Sequence, residues 1–572
     1  MIAKPLRIVI VGGVAGGASA AAKARRTNEH AEITLFERGP HVSFANCGLP
    51  YYVGGDIAER EALLLQTPDS FWRRFAVKVH VFHEVVGIDR AKREVQVRNV
   101  QTGEQFRQPY DKLILSPGAG AVVPELPGLP ARNVFTVKTV PDSDAILAWL
   151  RDAAPTHAIV AGAGFIGLET AEALHRRGLK VTVVELQPQV LPAFDADMAA
   201  FVQAQLQRQG IEVMTGHRLV GFVTDLRDGE RIVHAAQLDD GTVLPAGVVV
   251  MSIGVRPELR LARQAGLEIG ATGGIAVDDH QRTSDPDIYA AGDAVEVVNR
   301  VTGLKVRLPL AGPAGKQGRV AGANAAGGDL RFAGALGTAI VETMGITAAK
   351  TGLSEHEARS AGLDVQVTQT HSLDHAGYYP GASLLHIKLV AERTTHRLLG
   401  GQIVGEAGVD KRIDVLATAL QARMTVQDLE ELDLAYAPQF SSARDPVIMA
   451  GFAASNVARD EVRTVTCAAL RTEVAAHRPL QLVDVRTAGE FDGGHQLGAV
   501  HLPIDELRGR IGELDPTADT VVYCKVGFRG YLAARILSQS GFGQVRNLTG
   551  GMLQCDAGDL SPTLSNCERA DH

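Results

Sequence analysis

Apolar residues cluster in short runs that break on glycine and resume with helical spacing. The first run, RIVIV at residues 7–11, stops on Gly12 and Gly13 and passes into the alanine-rich GGASAAAKARR. A run this short, ending in glycines, predicts a buried strand, a tight turn and a helix rather than a signal peptide. EITLFER at 32–38 predicts the next strand, closing on Glu37. The pattern returns between Ala158 and Leu186 as an apolar strand, the turn GAGFIG, a helix and the strand KVTVVEL. TVVYCKVGFRGYLAARIL at 520–537 repeats the order, with a β-branched strand delivering Cys524 to a loop that closes into a helix. No apolar run is long enough to cross a bilayer, so no membrane partner is expected.

A glycine turn that opens a helix lets backbone N–H groups approach a pyrophosphate. In the first copy Gly12, Gly13 and Gly17 make the turn, with Val14 at its central glycine position. Glu37 follows Gly12 by 25 residues, near the distance expected for a ribose-hydroxyl acceptor, with Arg38 beside it as a further cofactor contact. In the second copy Gly162, Gly164 and Gly167 complete GxGxxG, and Glu185 follows Gly162 by 23 residues. An acid there accepts from a 2′-hydroxyl and repels a 2′-phosphate, so NADH is expected before NADPH. Two nucleotide folds in one chain imply an electron path between cofactors.

The loop CKVGFR wraps its N–H groups around Cys524 at a helix N-terminus, which favours a thiolate and an anionic persulfide. Arg529 adds positive charge, and Lys525 suits an anionic sulfur donor.

Composition narrows the classes. At 572 residues the chain is expected to hold three to four domains. A net charge of −8 with no lysine or arginine run speaks against nucleic acid. The five cysteines are odd in number, scattered and without metal-ligand spacing. That argues against a disulfide scaffold and a metal site, and for a reducing cytoplasm. Cys467, Cys555 and Cys567 have no chemistry-bearing context.

Three segments resemble the two-dinucleotide flavoproteins. TSDPDIYAAGDA (283–294) is similar to their second flavin motif, which implies that Gly292 and Asp293 reach FAD, Asp293 at the ribityl chain. YDKLILSPGA (110–119) and MSIGVRP (251–257) resemble the connecting motifs, adding Ser116 and Gly254 to the cofactor contacts. The resemblance implies an FAD-binding domain at 1–115 and 251–329, with an NADH-binding domain at 116–250 inserted between its parts. An interface domain at 330–452 is then the dimer contact, followed by a linker at 453–470 and a last domain at 471–567.

SFANCGLPYYVGG (43–55) has Cys47 but Tyr52 where a dithiol enzyme would have its second cysteine. A lone thiol can form a mixed disulfide, a sulfenic acid or a persulfide. The segment resembles the active site of coenzyme A-disulfide reductases. That resemblance implies Cys47 as redox nucleophile with Ser43 and Asn46 as neighbours, Ser43 counted with the cofactor and Asn46 with the substrate. It also implies Ser19, Lys23 and Arg26 as coenzyme A contacts. LDHAGYYPGA (373–382) and LAYAPQFSSARDP (434–446) resemble interface segments of that family, in which a partner's tyrosine reaches the sulfur. Tyr436 is the first choice, then Tyr379 and Tyr378, with Arg444 for a substrate phosphate.

QLVDVRTAGEFDGGHQLGAVHLP (481–503), CKVGFR and NLTGG (547–551) together resemble a rhodanese domain. The whole is similar to coenzyme A-disulfide reductase fused to rhodanese, a group that includes NADH-dependent persulfide reductases. The resemblance implies an α/β fold of two nested Rossmann-like dinucleotide-binding domains, an α+β interface domain and an α/β rhodanese domain. It implies NADH-driven, FAD-dependent reduction of coenzyme A persulfide or polysulfide with release of hydrogen sulfide. Cys524 would carry sulfane sulfur, coenzyme A would be substrate or bound cofactor, and the enzyme would be a homodimer acting on small thiols, persulfides and disulfides. The alternatives are a coenzyme A-disulfide reductase serving a thiol pool, an NADH peroxidase or oxidase acting through a Cys47 sulfenic acid, and a redox sensor.

Overall fold

Arg7–Val11 forms the middle strand of a five-stranded parallel sheet in the order Ile288–Ala290, Lys112–Leu115, Arg7–Val11, Glu32–Phe36, Val77–His80. The structure, a computed structural model, describes residues 4–558. The late strand Ile288–Ala290 pairs with Lys112–Leu115, so the turn at Gly292 and Asp293 joins the same strand ends as the Gly12 turn. Helix Ala15–Thr27 lies close against helix Ala311–Ala325, because a Cβ on Gly318 would come within 2.1 Å of the Gly16 carbonyl oxygen.

A second parallel sheet follows the order Glu212–Thr215, Lys180–Glu185, His157–Ala161, Val248–Met251, Val134–Phe135. Its central strands are buried along nearly their whole length, as expected when helices or loops cover both faces. These two sheets lie in one compact unit, residues 1–188 and 210–337.

The other unit contains an antiparallel sheet in the order Ala339–Thr343, Ile346–Gly352, Leu398–Gly405, Leu384–Glu392, Val365–Leu373. Residues 189–209, which connect the parallel strands Lys180–Glu185 and Glu212–Thr215, pack with this unit. A buried cation lies at that contact. Lys388 Nζ, on the sheet, meets Asp195 at 3.2 Å, Asp197 at 2.7 Å and Glu355 at 2.9 Å. A buried ammonium requires such partners. Phe201, on helix Ala196–Arg208, stacks on His386 with ring centroids 3.8 Å apart.

The C-terminal sheet of the same unit is parallel, in the order Arg463–Val465, Val545–Leu548, Thr520–Tyr523, Gln481–Asp484, Val500–His501. The stretch expected as a linker, 453–470, is ordered. Helix Pro446–Ala458 runs through its first residues, burying Val447, Ala450, Gly451 and Ala454. Arg463–Val465 is an edge strand, and Thr466 caps the next helix, Cys467–Ala475. The small residues of FAASNVA suggest a flexible connection, but they are what a closely packed helix needs.

The expectation of unpaired cysteines is corrected as well. Cys467 and Cys555 form a disulfide between helices Cys467–Ala475 and Gly551–Gly558, across 88 residues of sequence. Cys567 lies outside the described residues. No helix among the described residues is long and apolar enough to cross a membrane. The α/β class, with two glycine-turn sheets, an α+β domain and a final parallel α/β domain, is the one the sequence led us to expect.

Candidate functional site

The two glycine turns use one design. Gly12 and Gly162 have φ of +90° and +101°, and a Cβ on either would lie within 2.4 Å of the carbonyl oxygen of Ser116 or Ser252. A Cβ on Gly17 or Gly167 would fall within 2.0 Å of the turn's own first carbonyl. These four positions exclude any side chain. The central position differs: Gly164 faces open space, and Val14 replaces it in the first copy with a negative φ of −93°. Because the φ there is negative in both copies, valine is tolerated in the backbone.

The acids close each turn in the same way. Glu37 accepts from the N–H groups of Gly13 and Gly39, both at 2.8 Å. Glu185 accepts from Ala163 at 2.7 Å and Gln187 at 2.8 Å. A carboxylate held this way keeps lone pairs for a ribose hydroxyl. Arg38 is exposed and lies 3.8 Å from Glu258. Ser116 packs its hydroxyl against Gly16 and Gly292, Gly292 donates to Gln317 at 2.9 Å, and Gly254 has φ +119°. The Asp293 carboxyl, partly buried, is pushed up by burial and pulled down by Lys138.

Cys47 sits exposed on the short turn Asn46–Gly48 that leads into helix Leu49–Gly54. Ser43 holds φ +48°, and Asn46 donates to the Lys138 carbonyl at 2.6 Å, which fixes the entry to the turn. Surrounding protein pushes the Cys47 thiol up; Glu169 and Asp293 add to this, and Lys138 opposes it. Glu169 accepts from the Tyr51 hydroxyl at 3.0 Å, while burial raises its own carboxyl. Tyr52, in place of a second thiol, donates to Asp144 at 3.4 Å beside the Arg60–Asp144 pair. Sequence reasoning missed Lys138, 91 positions after Cys47 and in no motif, and Glu169, 122 positions after it on the helix that the second glycine turn opens. On helix Ala15–Thr27, Ser19 lies near Gly315, Lys23 is half-buried, and Arg26 is exposed with its Nε on the Ala22 carbonyl.

In the other unit, the hydroxyls of Tyr378 and Tyr436 lie 3.0 Å apart, and this hydrogen bond raises the Tyr378 phenol. Tyr379 meets His375 edge-on, and Arg444 is exposed.

Cys524 is fully buried at the end of strand Thr520–Tyr523. Gly527 N–H donates to its Sγ at 3.2 Å. The carbonyls of Cys524 and Lys525 accept from Met552 and Leu553, both at 2.9 Å, and Asn547 donates to Gly527 O at 3.1 Å. Loop carbonyls are thereby drawn away from the sulfur. Arg529 is held by Glu490 through two bonds of 2.7 Å, which bring the Glu490 carboxyl down to about 2. Glu490 was missed because its partner lies 39 residues away. Its place in T-A-G-E, three residues after the helix-capping Thr487, was the available signal. Lys525 is exposed.

Known proteins share this order of domains. Residues 6–318 match the family model for pyridine nucleotide-disulphide oxidoreductase, 339–447 match that family's dimerisation domain, and 467–556 match a rhodanese-like domain. The chain is 41% identical to the reduced CoADR-RHD of Bacillus anthracis, covering 97% of this chain and 98% of that one with a TM-score of 0.93. It is 38% identical to an NAD-dependent persulfide reductase from A. fulgidus, covering 96% and 99% with a TM-score of 0.89. A coenzyme A disulfide reductase of Staphylococcus haemolyticus is 35% identical over 452 residues, which is 79% of this chain and 100% of that protein.

Proposed function

The chain belongs to the pyridine nucleotide-disulphide oxidoreductase family, and from that premise we propose that it uses NADH and FAD to reduce coenzyme A persulfide or a related persulfide, releasing hydrogen sulfide. The observation that carries this reading is the presence in one chain of two different free thiols, Cys47 exposed and Cys524 buried. The first suits attack on a substrate and the second suits holding a sulfur atom away from water.

The residues fit both cofactors. Gly12, Gly17, Gly162 and Gly167 make turns in which a Cβ would collide with backbone, and Gly164 leaves the space a pyrophosphate needs. Gly13, Arg38, Ser43, Ser116, Gly254, Gly292 and Asp293 are the further cofactor contacts, with Glu37 and Glu185 taking the ribose hydroxyls. Bound FAD supplies the two-electron carrier between NADH and sulfur.

Cys47 thiolate attacks the inner sulfur of R–S–SH; the S–S bond breaks, HS⁻ leaves, and a Cys47–S–S–R disulfide forms. Two electrons from NADH then cleave that disulfide, releasing RS⁻ and restoring the Cys47 thiolate. The sum is RSSH + NADH + H⁺ → RSH + H₂S + NAD⁺. Lys138 favours the attacking thiolate. Tyr436, with Tyr378 beside it and Tyr379 next in line, comes from the partner in a homodimer and donates a proton to the leaving sulfur. Ser19, Lys23, Arg26, Asn46 and Arg444 hold coenzyme A. Cys524 carries sulfane sulfur, supported by the Gly527 N–H and by Arg529.

Anaerobic NADH oxidation with coenzyme A persulfide against coenzyme A disulfide tests this. We expect higher kcat/KM with the persulfide and stoichiometric sulfide; preference for the disulfide overturns it. That second outcome is the reading favoured by the Staphylococcus haemolyticus relative, a coenzyme A disulfide reductase that matches over its whole length.

A further inference from the structure

Two loops carry the tyrosines, residues 374–383 with Tyr378 and Tyr379, and residues 434–446 with Tyr436. Tyr378 is 77% exposed and Tyr436 49%, yet their hydroxyls meet at 3.0 Å. Solvent-facing phenols do not fix their own spacing, so something beneath them does. Arg412, on helix Val409–Gln421 and 1% exposed, reaches both loops. Its Nη2 donates to the Asp374 carbonyl at 2.5 Å and to Ser441 Oγ at 3.3 Å. Its Nε faces both carboxylate oxygens of Asp445, at 3.3 and 3.1 Å, and Nη1 returns to the Gly408 carbonyl at 3.0 Å. Ser441 Oγ donates to Asp445 at 2.7 Å, and Asp445 also caps helix Pro446–Ala458 through Val447 N–H at 2.9 Å. One planar cation therefore takes an acceptor from the Tyr378 loop and two side chains from the Tyr436 loop. The Ala376 N–H adds a backbone link to the carbonyls of Pro438 and Ser441, at 3.3 and 3.2 Å.

We infer that Arg412 is a positioning residue, whose guanidinium sets the Tyr378–Tyr436 hydroxyl pair that serves the leaving sulfur. This rests on the reading above that Tyr436 acts on the substrate. A guanidinium is required because its rigid fork presents donors in several directions at once, whereas a lysine ammonium is a point charge on a flexible stem.

The test is a double-mutant cycle on the full-length, FAD-loaded enzyme, using Arg412→Lys and Tyr436→Phe. Arg412→Lys should lower kcat for coenzyme A persulfide reduction about tenfold, with KM for NADH and the rate of flavin bleaching by NADH unchanged. In the Tyr436→Phe background the same substitution should cost less than about twofold, because the group it positions is gone. Equal losses in both backgrounds, or slowed flavin bleaching, overturn the inference. A second reading is independent of catalysis. The Tyr378 phenol, isolated by subtracting the titration of Tyr378→Phe, should titrate lower in Arg412→Lys than in the parent once its hydrogen bond is lost. No change there overturns the inference. If Tyr436→Phe alone keeps full activity, the catalytic role of Tyr436 fails, and Arg412 is judged by the phenol titration alone. Should Arg412→Lys not fold, Ser441→Ala keeps the Arg412–Asp445 pair and removes one contact on the Tyr436 loop. It should give the same changes at smaller size, and unchanged values overturn the inference.

Discussion

Cys47 and Cys524 are both unpaired thiols near the start of a helix, and the protein treats them in opposite ways. Cys47 is exposed, yet surrounding protein is the main influence that raises its thiol, and side-chain charges from distant parts of the sequence adjust it, Glu169 and Asp293 upward and Lys138 downward. Cys524 is buried, and a backbone N–H three residues away donates to its sulfur. Arg529, which also interacts with Cys524, is bound to Glu490. Reactivity at the first thiol can therefore be adjusted by single side-chain charges, whereas the second depends on its loop's backbone together with Arg529.

The strongest challenge to this contrast is to remove each sulfur. Cys47→Ser should lower NADH-driven persulfide reduction by on the order of 10³-fold or more with FAD retained. Cys524→Ser should spare reduction of small persulfides and abolish sulfur transfer from thiosulfate to cyanide. Loss of both activities in both variants would mean an obligatory relay. Next come the charges around Cys47. Glu169→Gln removes a charge that raises the thiol, so the alkylation–pH curve of Cys47 should move to lower pH by up to about one pH unit. Lys138→Met should move it the other way. Identical curves, followed by iodoacetamide labelling and mass spectrometry, would dismiss both charges. Glu185→Gln should narrow the NADH preference over NADPH about fivefold, read as a ratio of kcat/KM; a fixed ratio would mean the ribose contact lies elsewhere.

The smallest effect concerns the Cys524 side. The Glu490 carboxyl is depressed in the folded state to about 2, chiefly by its bond to Arg529. Its contribution is therefore present above the unfolded value of about 4.3 and is lost as pH falls through the folded value. The pair is part-exposed, so Glu490→Gln should cost under about 1 kcal/mol at neutral pH, and the difference should vanish below about pH 2. A constant difference in Tm between pH 7 and pH 3 would separate the effect from ionisation.

What could be read in the sequence was local. The glycine turns, the acids closing them and the CKVGFR loop each lie within about 30 consecutive residues, where spacing and backbone geometry are directly linked. What could not be read depends on partners far apart in the chain. Lys388 pairs with Asp195 and Asp197, more than 190 positions earlier. Cys467 finds Cys555 across 88 residues, and nothing in either neighbourhood signals a bond. The order of the 453–470 stretch could not be read for another reason. Small residues favour both loops and close helix packing, and only the sheet beneath Pro446–Ala458 decides between them.

Helix Gly551–Gly558 has a further consequence, for where the chain can be shortened. Its Met552 and Leu553 N–H groups are the donors to the carbonyls of Cys524 and Lys525. A chain ended at residue 550 would keep every residue of the sulfur loop and lose the two donors beneath it. Each carbonyl left inside without a partner would cost about 1–3 kcal/mol. The sulfur loop therefore depends on two amide protons beyond the domain's last sequence motif.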